Sequence, residues 1–499
     1  MTGDGRHPRS REDQPASAAA AGLGVRGRVG LVLGPALAAG LLLLPAPEGL
    51  DLAAWRTAAV GALMATWWVT EAVPIPVTSL VPLVAFPLLG ILPIDAAAAP
   101  YANPVIYLFL GGFVIALAVR RRGLHERMAL SIVRWVGTRP SRLVLGFLLA
   151  TAFVSMWVSN TATAAMMLPI AAAVVLMAER QDPPRRDLAA PLMLAVAYGA
   201  NLGGVATLIG TPPNALLAGF LAESHGIEIG FARWMLFGVP LVAVSLPLCW
   251  LLLLRLHPLA GGELAGGRAY VRDRLAALGR LSGPERVVGG ITAAVAAAWI
   301  VRPWLERFVP GLSDAGIAVA GAVALFVAPV SVRPWRPAIG WEDVAELPWS
   351  VLLLFGGGLS LAAAIADTGL AGWLGASLGF VERWPLALVV LTVTAAIVFL
   401  TELTSNTATA AAFLPIAAAL AVGAGADPRS LAVPTAVAAS CAFMMPVATP
   451  PNAIVYGSGR ISVPQMIRAG LWVNLLMIGL IEIAVLWLAP AVLSGSAPR

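Results

Sequence analysis

Two polar phrases, each occurring twice in a strongly apolar chain, hold the residue types able to bind ions. Residues 159–173 read SNTATAAMMLPIAAA and residues 405–419 read SNTATAAAFLPIAAA, identical at thirteen of fifteen positions. A shorter phrase follows each: Gly210 to Ala215 reads GTPPNA, and Ala448 to Ala453 reads ATPPNA. Ser, Asn and Thr between two helical stretches supply hydroxyls, an amide and the free N–H groups that begin the second stretch. Those N–H groups and the helix dipole favour an anion. Carbonyls at the end of the preceding stretch favour a cation such as sodium. Thr-Pro-Pro-Asn does the same inside a crossing helix, because proline removes donors and frees carbonyls while the next helix start presents N–H groups. Each half of the chain thus supplies one hairpin tip and one helix break, enough to build one cation and anion site near a membrane midplane.

What these motifs leave out is equally informative. Neither phrase contains Arg or His, so an anion held there depends on dipoles, hydroxyls and bound cations, and its binding should be coupled to those cations. His7, His125, His225 and His257 show no metal spacing and no nucleophile motif stands out, so the chain is not expected to be an enzyme. Cys249 and Cys441 lie in apolar runs and read as helix-packing residues. The 499 residues are 59% hydrophobic and only 12% charged, against roughly 25% charged in an average globular domain. With a mean hydropathy of +0.86, this is a polytopic membrane protein. All 32 Lys-or-Arg positions are Arg. They cluster between apolar segments rather than on a basic face, and read as topology signals rather than as a nucleic-acid surface.

The elements that must position the motifs follow from the need for about 20 apolar residues per span. Residues 1–27 are polar and arginine-rich and read as a disordered cytoplasmic tail. N-terminal scaffold helices occupy 28–104, with spans near 29–46, 53–70 and 76–93. The first repeat core, 105–256, opens with a span near 105–119 and an arginine stretch, then a pair of apolar arms over 143–179 that ends at Arg180, Arg185 and Arg186. Arginine at both ends requires a re-entrant hairpin, since a full crossing would place one cluster on the wrong side. A helix broken at Gly210-Thr-Pro-Pro covers 188–221, and a return span reaches Leu254. The arginine-bearing loop 257–286 is expected in the cytoplasm, followed by scaffold helices over 287–348. The second repeat core, 349–499, carries a hairpin over 384–424, a broken helix over 430–457 and a last helix. An odd number of crossings separates the hairpins, so the second opens from the opposite side. The fold expected is all-α: two inverted repeats, eleven transmembrane helices plus two re-entrant hairpins, and broken helices at the midplane. The N-terminus lies inside and the C-terminus outside.

Beyond both hairpin tips, Thr70 to Pro82 (TEAVPIPVTSLVP) and Ser440 to Val455 (SCAFMMPVATPPNAIV) resemble two signatures of the divalent anion/sodium symporter family. The resemblance covers about residues 29–490. It implies import of dianions through a homodimer in the inner (plasma) membrane, each protomer moving its site in an elevator-like step. Carried over by position, the first sodium site would use Ser155, Ser159, Asn160 and Gly210, and the second Thr401, Ser405, Asn406 and Ala448. Substrate carboxylates would meet Asn160, Thr161 and Thr211 from one half, and Asn406, Thr407 and Pro450 from the other. A C4-dicarboxylate such as succinate, malate or fumarate is the first choice of substrate, with citrate and sulfate as alternatives. A sodium-independent dicarboxylate exchanger would share the fold and most of the motifs.

Ser159 and Ser405 also suit hairpin-tip capping, a role compatible with ion binding. Glu402, beside the second tip, admits two readings: a group that tunes cation affinity, or a hydrogen-bonded structural carboxylate. Glu71 reads as structural, since Pro74 and Pro76 place it near a helix end. Trp67 and Trp68 read as interfacial or packing aromatics.

Overall fold

The structure, a computed structural model, describes residues 24–137, 139–182, 184–260, 262–264, 266–332, 335–377 and 383–493. Most of the expected N-terminal tail lies outside the described residues, and the first helix already begins at Val25. Among the described residues the fold is helical, apart from one short antiparallel pair, Pro329–Val332 with Trp335–Pro337. Eight helices among the described residues are long and apolar enough to cross a membrane, and further shorter apolar helices accompany them.

Both motif pairs fold as their residue types dictate. Helices Pro140–Ser155 and Asn160–Glu179 flank the first Ser-Asn-Thr, and Leu386–Thr401 and Asn406–Gly423 flank the second. The TPPN phrases each start a helix with proline at its first positions: Ala189–Val205 is separated by a break from Pro212–His225, and Arg429–Ala439 from Pro450–Gly457. Cys249 packs inside the long helix Phe231–Leu256, whereas Cys441 lies buried in the second break rather than in a helix.

Polar contacts between remote helix ends sort the chain onto two faces. On one face Arg121 pairs with Asp343 at 2.6 Å, Arg127 with Glu285 at 2.8 Å and Arg460 with Glu179 at 2.8 Å. Both bases of the first hairpin meet the same loop there, Arg139 through Glu263 at 3.8 Å and Asp187 through the Ala260 N–H at 2.6 Å. On the other face Asn103 donates to Glu223 at 2.8 Å, Asp314 accepts from the Phe231 N–H at 2.7 Å, and Arg429 donates to the Leu493 carbonyl at 2.7 Å. The first hairpin therefore starts and ends on one face. The second, followed by Asp427 and Arg429, ends on the other. The two repeats are inverted.

The span expected over 76–93 is not one helix. It divides into Ile75–Thr78 and Val81–Leu88, because Pro82 lacks an N–H and its ring crowds the carbonyl of Thr78 one turn back. The Ser79 carbonyl freed by the break accepts from the Tyr101 hydroxyl. Trp67 and Trp68 are packing residues: Trp68 is fully enclosed, and Trp67 lies over Gly34 of the first helix.

Candidate functional site

Each hairpin's first arm ends in a buried hydroxyl that ties the tip to the neighbouring broken helix. Ser155 donates toward Asn160 Oδ1 at 2.6 Å and the Ala200 carbonyl at 2.8 Å. In the second half Thr401 donates toward Asn406 Oδ1 at 2.7 Å and the Ala439 carbonyl at 3.0 Å. The two halves thus repeat one arrangement of hydroxyl, amide oxygen and a carbonyl of the broken helix. A hydroxyl has one hydrogen for these two oxygens, so each cluster holds more oxygen than hydrogen.

In the first half the break joins the same cluster. A Cβ placed on Gly204 would lie 2.7 Å from Asn160 Oδ1 and 3.1 Å from the Gly210 carbonyl, so glycine is what lets the tip amide and the break approach. Gly203 likewise admits the Ala152 carbonyl of the hairpin arm. Thr207 accepts from the Gly210 N–H at 3.1 Å and donates to the Met156 carbonyl at 2.6 Å, fastening break to tip. The structure therefore brings Ser155, Asn160 and Gly210 together. Thr401 and Asn406 are joined likewise, and Ala448 lies buried in the adjacent break.

The two halves meet at the breaks. Thr211 Oγ1 lies 3.5 Å from Ser440 Oγ, one hydroxyl from each repeat, both buried. Asn201 of the first broken helix donates to the Ala442 carbonyl at 3.1 Å and to Thr449 Oγ1 at 3.2 Å in the second break. The last residue of each TPPN phrase holds its own break: Asn214 reaches the Gly204, Val205 and Thr207 carbonyls at 2.8–3.2 Å, and Asn452 the Ala442 and Met445 carbonyls at 3.0–3.2 Å. These amides satisfy carbonyls that the breaks leave without a helical partner.

Other expected site residues are placed differently. Ser159 caps its helix, accepting from the Ala162 N–H at 3.4 Å, whereas Ser405 makes no such cap and lines a cavity of about 490 Å³ with Thr407. Thr161 is exposed at its tip with no side-chain hydrogen bond among the described residues. Pro450 is exposed at the start of its helix and has no N–H to offer an anion. Thr449 beside it carries the hydroxyl, which accepts from the Asn452 N–H at 3.3 Å.

Glu402 is a hydrogen-bonded carboxylate. Its Oε1 accepts from the Phe443 N–H at 2.7 Å, the Met444 N–H at 2.9 Å and Asn474 Nδ2 at 2.8 Å, and its Oε2 accepts from the Met445 N–H at 3.0 Å. It thereby ties the second tip to the unwound break and to the last helix. Sequence reasoning missed Asn201, Ser440 and Asn474. Of these, only Ser440 sat within a motif quoted from the sequence.

Paired oxygen clusters at inverted hairpin tips and helix breaks, within a bundle of membrane-length helices, define a transporter of the inverted-repeat class. The chain belongs to the sodium:sulfate symporter family, whose transmembrane-region model matches residues 28–493. It is 43% identical over 478 residues to the sodium-dependent dicarboxylate transporter SdcS of Staphylococcus saprophyticus, covering 93% of this chain and 92% of the relative. To SdcS of Staphylococcus aureus strain USA300 it is 41% identical over the same coverage. Among solved structures, it resembles the YdaH transporter of Alcanivorax borkumensis with a TM-score of 0.52 at 17% identity, covering 94% of this chain and 98% of that one. Neisseria gonorrhoeae MtrF gives a TM-score of 0.57 at 14% identity, covering 92% of this chain and 94% of that one. The likeness to these two is one of fold alone.

Proposed function

We propose that this chain is a sodium-coupled secondary transporter that imports C4-dicarboxylates such as succinate, malate or fumarate. The observation that carries this reading is the repeated cluster at Ser155–Asn160 and Thr401–Asn406. Each gathers neutral oxygens around a single hydroxyl hydrogen, a setting suited to a hard monovalent cation and poor for an unaccompanied anion. One sodium is held by Ser155, Ser159, Asn160 and Gly210, the other by Thr401, Ser405, Asn406 and Ala448. The dianion binds between the tips, against Asn160, Thr161 and Thr211 on one side and Asn406, Thr407 and Pro450 on the other. Two sodium ions beside it supply the positive charge that the side chains lack.

The face carrying Arg121, Arg127, Arg185 and Arg460 is the cytoplasmic one by the bias of arginine toward that side, which puts the N-terminus inside an inner (plasma) membrane. Alternation is elevator-like: hairpins and broken helices move against the remaining helices, in a homodimer. The 43% identity to a transporter named for sodium and dicarboxylate supports the choice of both ligands.

The test is uptake of labelled succinate into proteoliposomes. Uptake should rise with external sodium, with more than one sodium per substrate, and unlabelled citrate or sulfate should compete less well than malate. Equal uptake in choline and sodium would overturn the symport reading, and uptake that requires internal dicarboxylate would identify an exchanger.

A further inference from the structure

The cavity beside the second hairpin tip has an acidic wall. About 490 Å³ in volume, it is lined by Ser405 and Thr407 from the tip, by Ser350 at the start of helix Trp349–Asp367, and by Glu71. Glu71 is its one charged lining residue among the described residues. The side chain is exposed and makes no hydrogen bond or ion pair among those residues. Arg26 donates to the carbonyls of Val69 and Leu403 nearby and does not line the cavity.

Glu71 is also the only non-glycine residue with positive φ in the described chain, at φ 51° and ψ 33°. Position C-terminal to a helix in this left-handed conformation is where glycine is cheapest, and a residue with a Cβ costs about 1 kcal/mol or more there. Capping the helix would be done better by glycine. A carboxylate at such a place, without a partner among the described residues and lining a cavity shared with the proposed ion-binding tip, points to a role in that cavity.

We propose that Glu71 is a charge-selecting residue of this vestibule: its carboxylate favours cations at Ser405 and Thr407 and disfavours a dianion there. The inference rests on the sodium-coupled reading of the site. Like charges repel and opposite charges attract across the same water-filled space, so one carboxylate shifts the two affinities in opposite directions.

The test is succinate binding to purified protein as sodium replaces choline at constant ionic strength. Glu71→Gln should raise the sodium concentration for half-saturation roughly two- to fourfold, the effect of one charge about 10 Å away in a solvated cavity. At saturating sodium it should lower the succinate half-saturation concentration by about the square of that factor, because the dianion carries two charges. Glu71→Asp should restore both values. Glu71→Gly, which relieves the backbone strain, should reproduce the Gln result in a protein at least as stable. Unchanged half-saturation in both Gln and Gly variants, or sodium and succinate weakening together, would overturn the role. Absence of sodium-dependent succinate binding in the unmodified protein overturns the functional reading and this inference with it.

Discussion

Replacing Asn160 or Asn406 with alanine separates a binding role from a structural one. Asn160→Ala removes the Oδ1 that faces Ser155 at 2.6 Å, and Asn406→Ala removes the one that faces Thr401 at 2.7 Å. Neither change orphans the buried hydroxyl, because Ser155 keeps the Ala200 carbonyl at 2.8 Å and Thr401 keeps the Ala439 carbonyl at 3.0 Å. Both asparagines are half-buried at tips, so little packing is lost. The fold should survive, with thermal stability and membrane level close to those of the parent chain. Binding should not. A hydrogen bond to a charged group contributes about 1.5–3 kcal/mol, which corresponds to roughly tenfold to 150-fold in affinity. Sodium and succinate affinities should weaken together in each variant, since coupling between two ligands is reciprocal. The assay is sodium-dependent succinate uptake in proteoliposomes alongside melting in detergent. If either variant, present at normal levels, transports with unchanged sodium and substrate dependence, the composite site is refuted.

Glu402→Gln should be far more damaging to stability: it replaces one accepting oxygen by a donor that faces backbone N–H groups, and a melting point well below that of Asn406→Ala is expected by thermal denaturation. Single cysteines in loop 257–286 should resist an impermeant thiol reagent in intact cells while one placed after Pro490 reacts; Cys249 and Cys441 are buried and contribute little background. Labelling of both from one side would contradict the inverted topology. The hydrogen bond from Arg429 holds the Asp427 carboxyl below its ordinary value of 3.8, so its contribution is present above that pH and fades as pH falls below it. Asp427→Asn should therefore lower the melting point slightly at pH 7, with the difference closing below about pH 4, as pH-dependent melting curves would show.

The parts legible in the sequence are those with a covalent signature. Thr-Pro-Pro-Asn stands at the start of Pro212–His225 and Pro450–Gly457, and the duplicated Ser-Asn-Thr stands between Pro140–Ser155 and Asn160–Glu179 and between Leu386–Thr401 and Asn406–Gly423. The division of the third span falls just before Pro82, but proline alone did not mark it, since Pro87 lies inside its helix and Phe231–Leu256 runs through Pro240 and Pro247. The partners that complete the site were not legible. Asn201 and Asn474 are lone amides in apolar runs with no spacing to betray them, and both act on groups in the second break or beside it. The role of Glu402 was hidden for a related reason: three of its four partners are backbone N–H groups, which every residue but proline carries. Pro450 came from the family resemblance alone, and the neighbouring Thr449 carries a hydroxyl that accepts from the Asn452 N–H.

The carboxylate at the second tip has no counterpart at the first. The residue 246 positions earlier is Met156, whose side chain is neutral and whose carbonyl accepts from Thr207. In a dimer of two identical halves any residue at the tip would be present in both copies, and two carboxylates would flank the proposed dianion site. With both halves in one chain, one tip carries an anchoring charge while the other is neutral, so the two tips can differ in charge although their Ser-Asn-Thr phrases are the same.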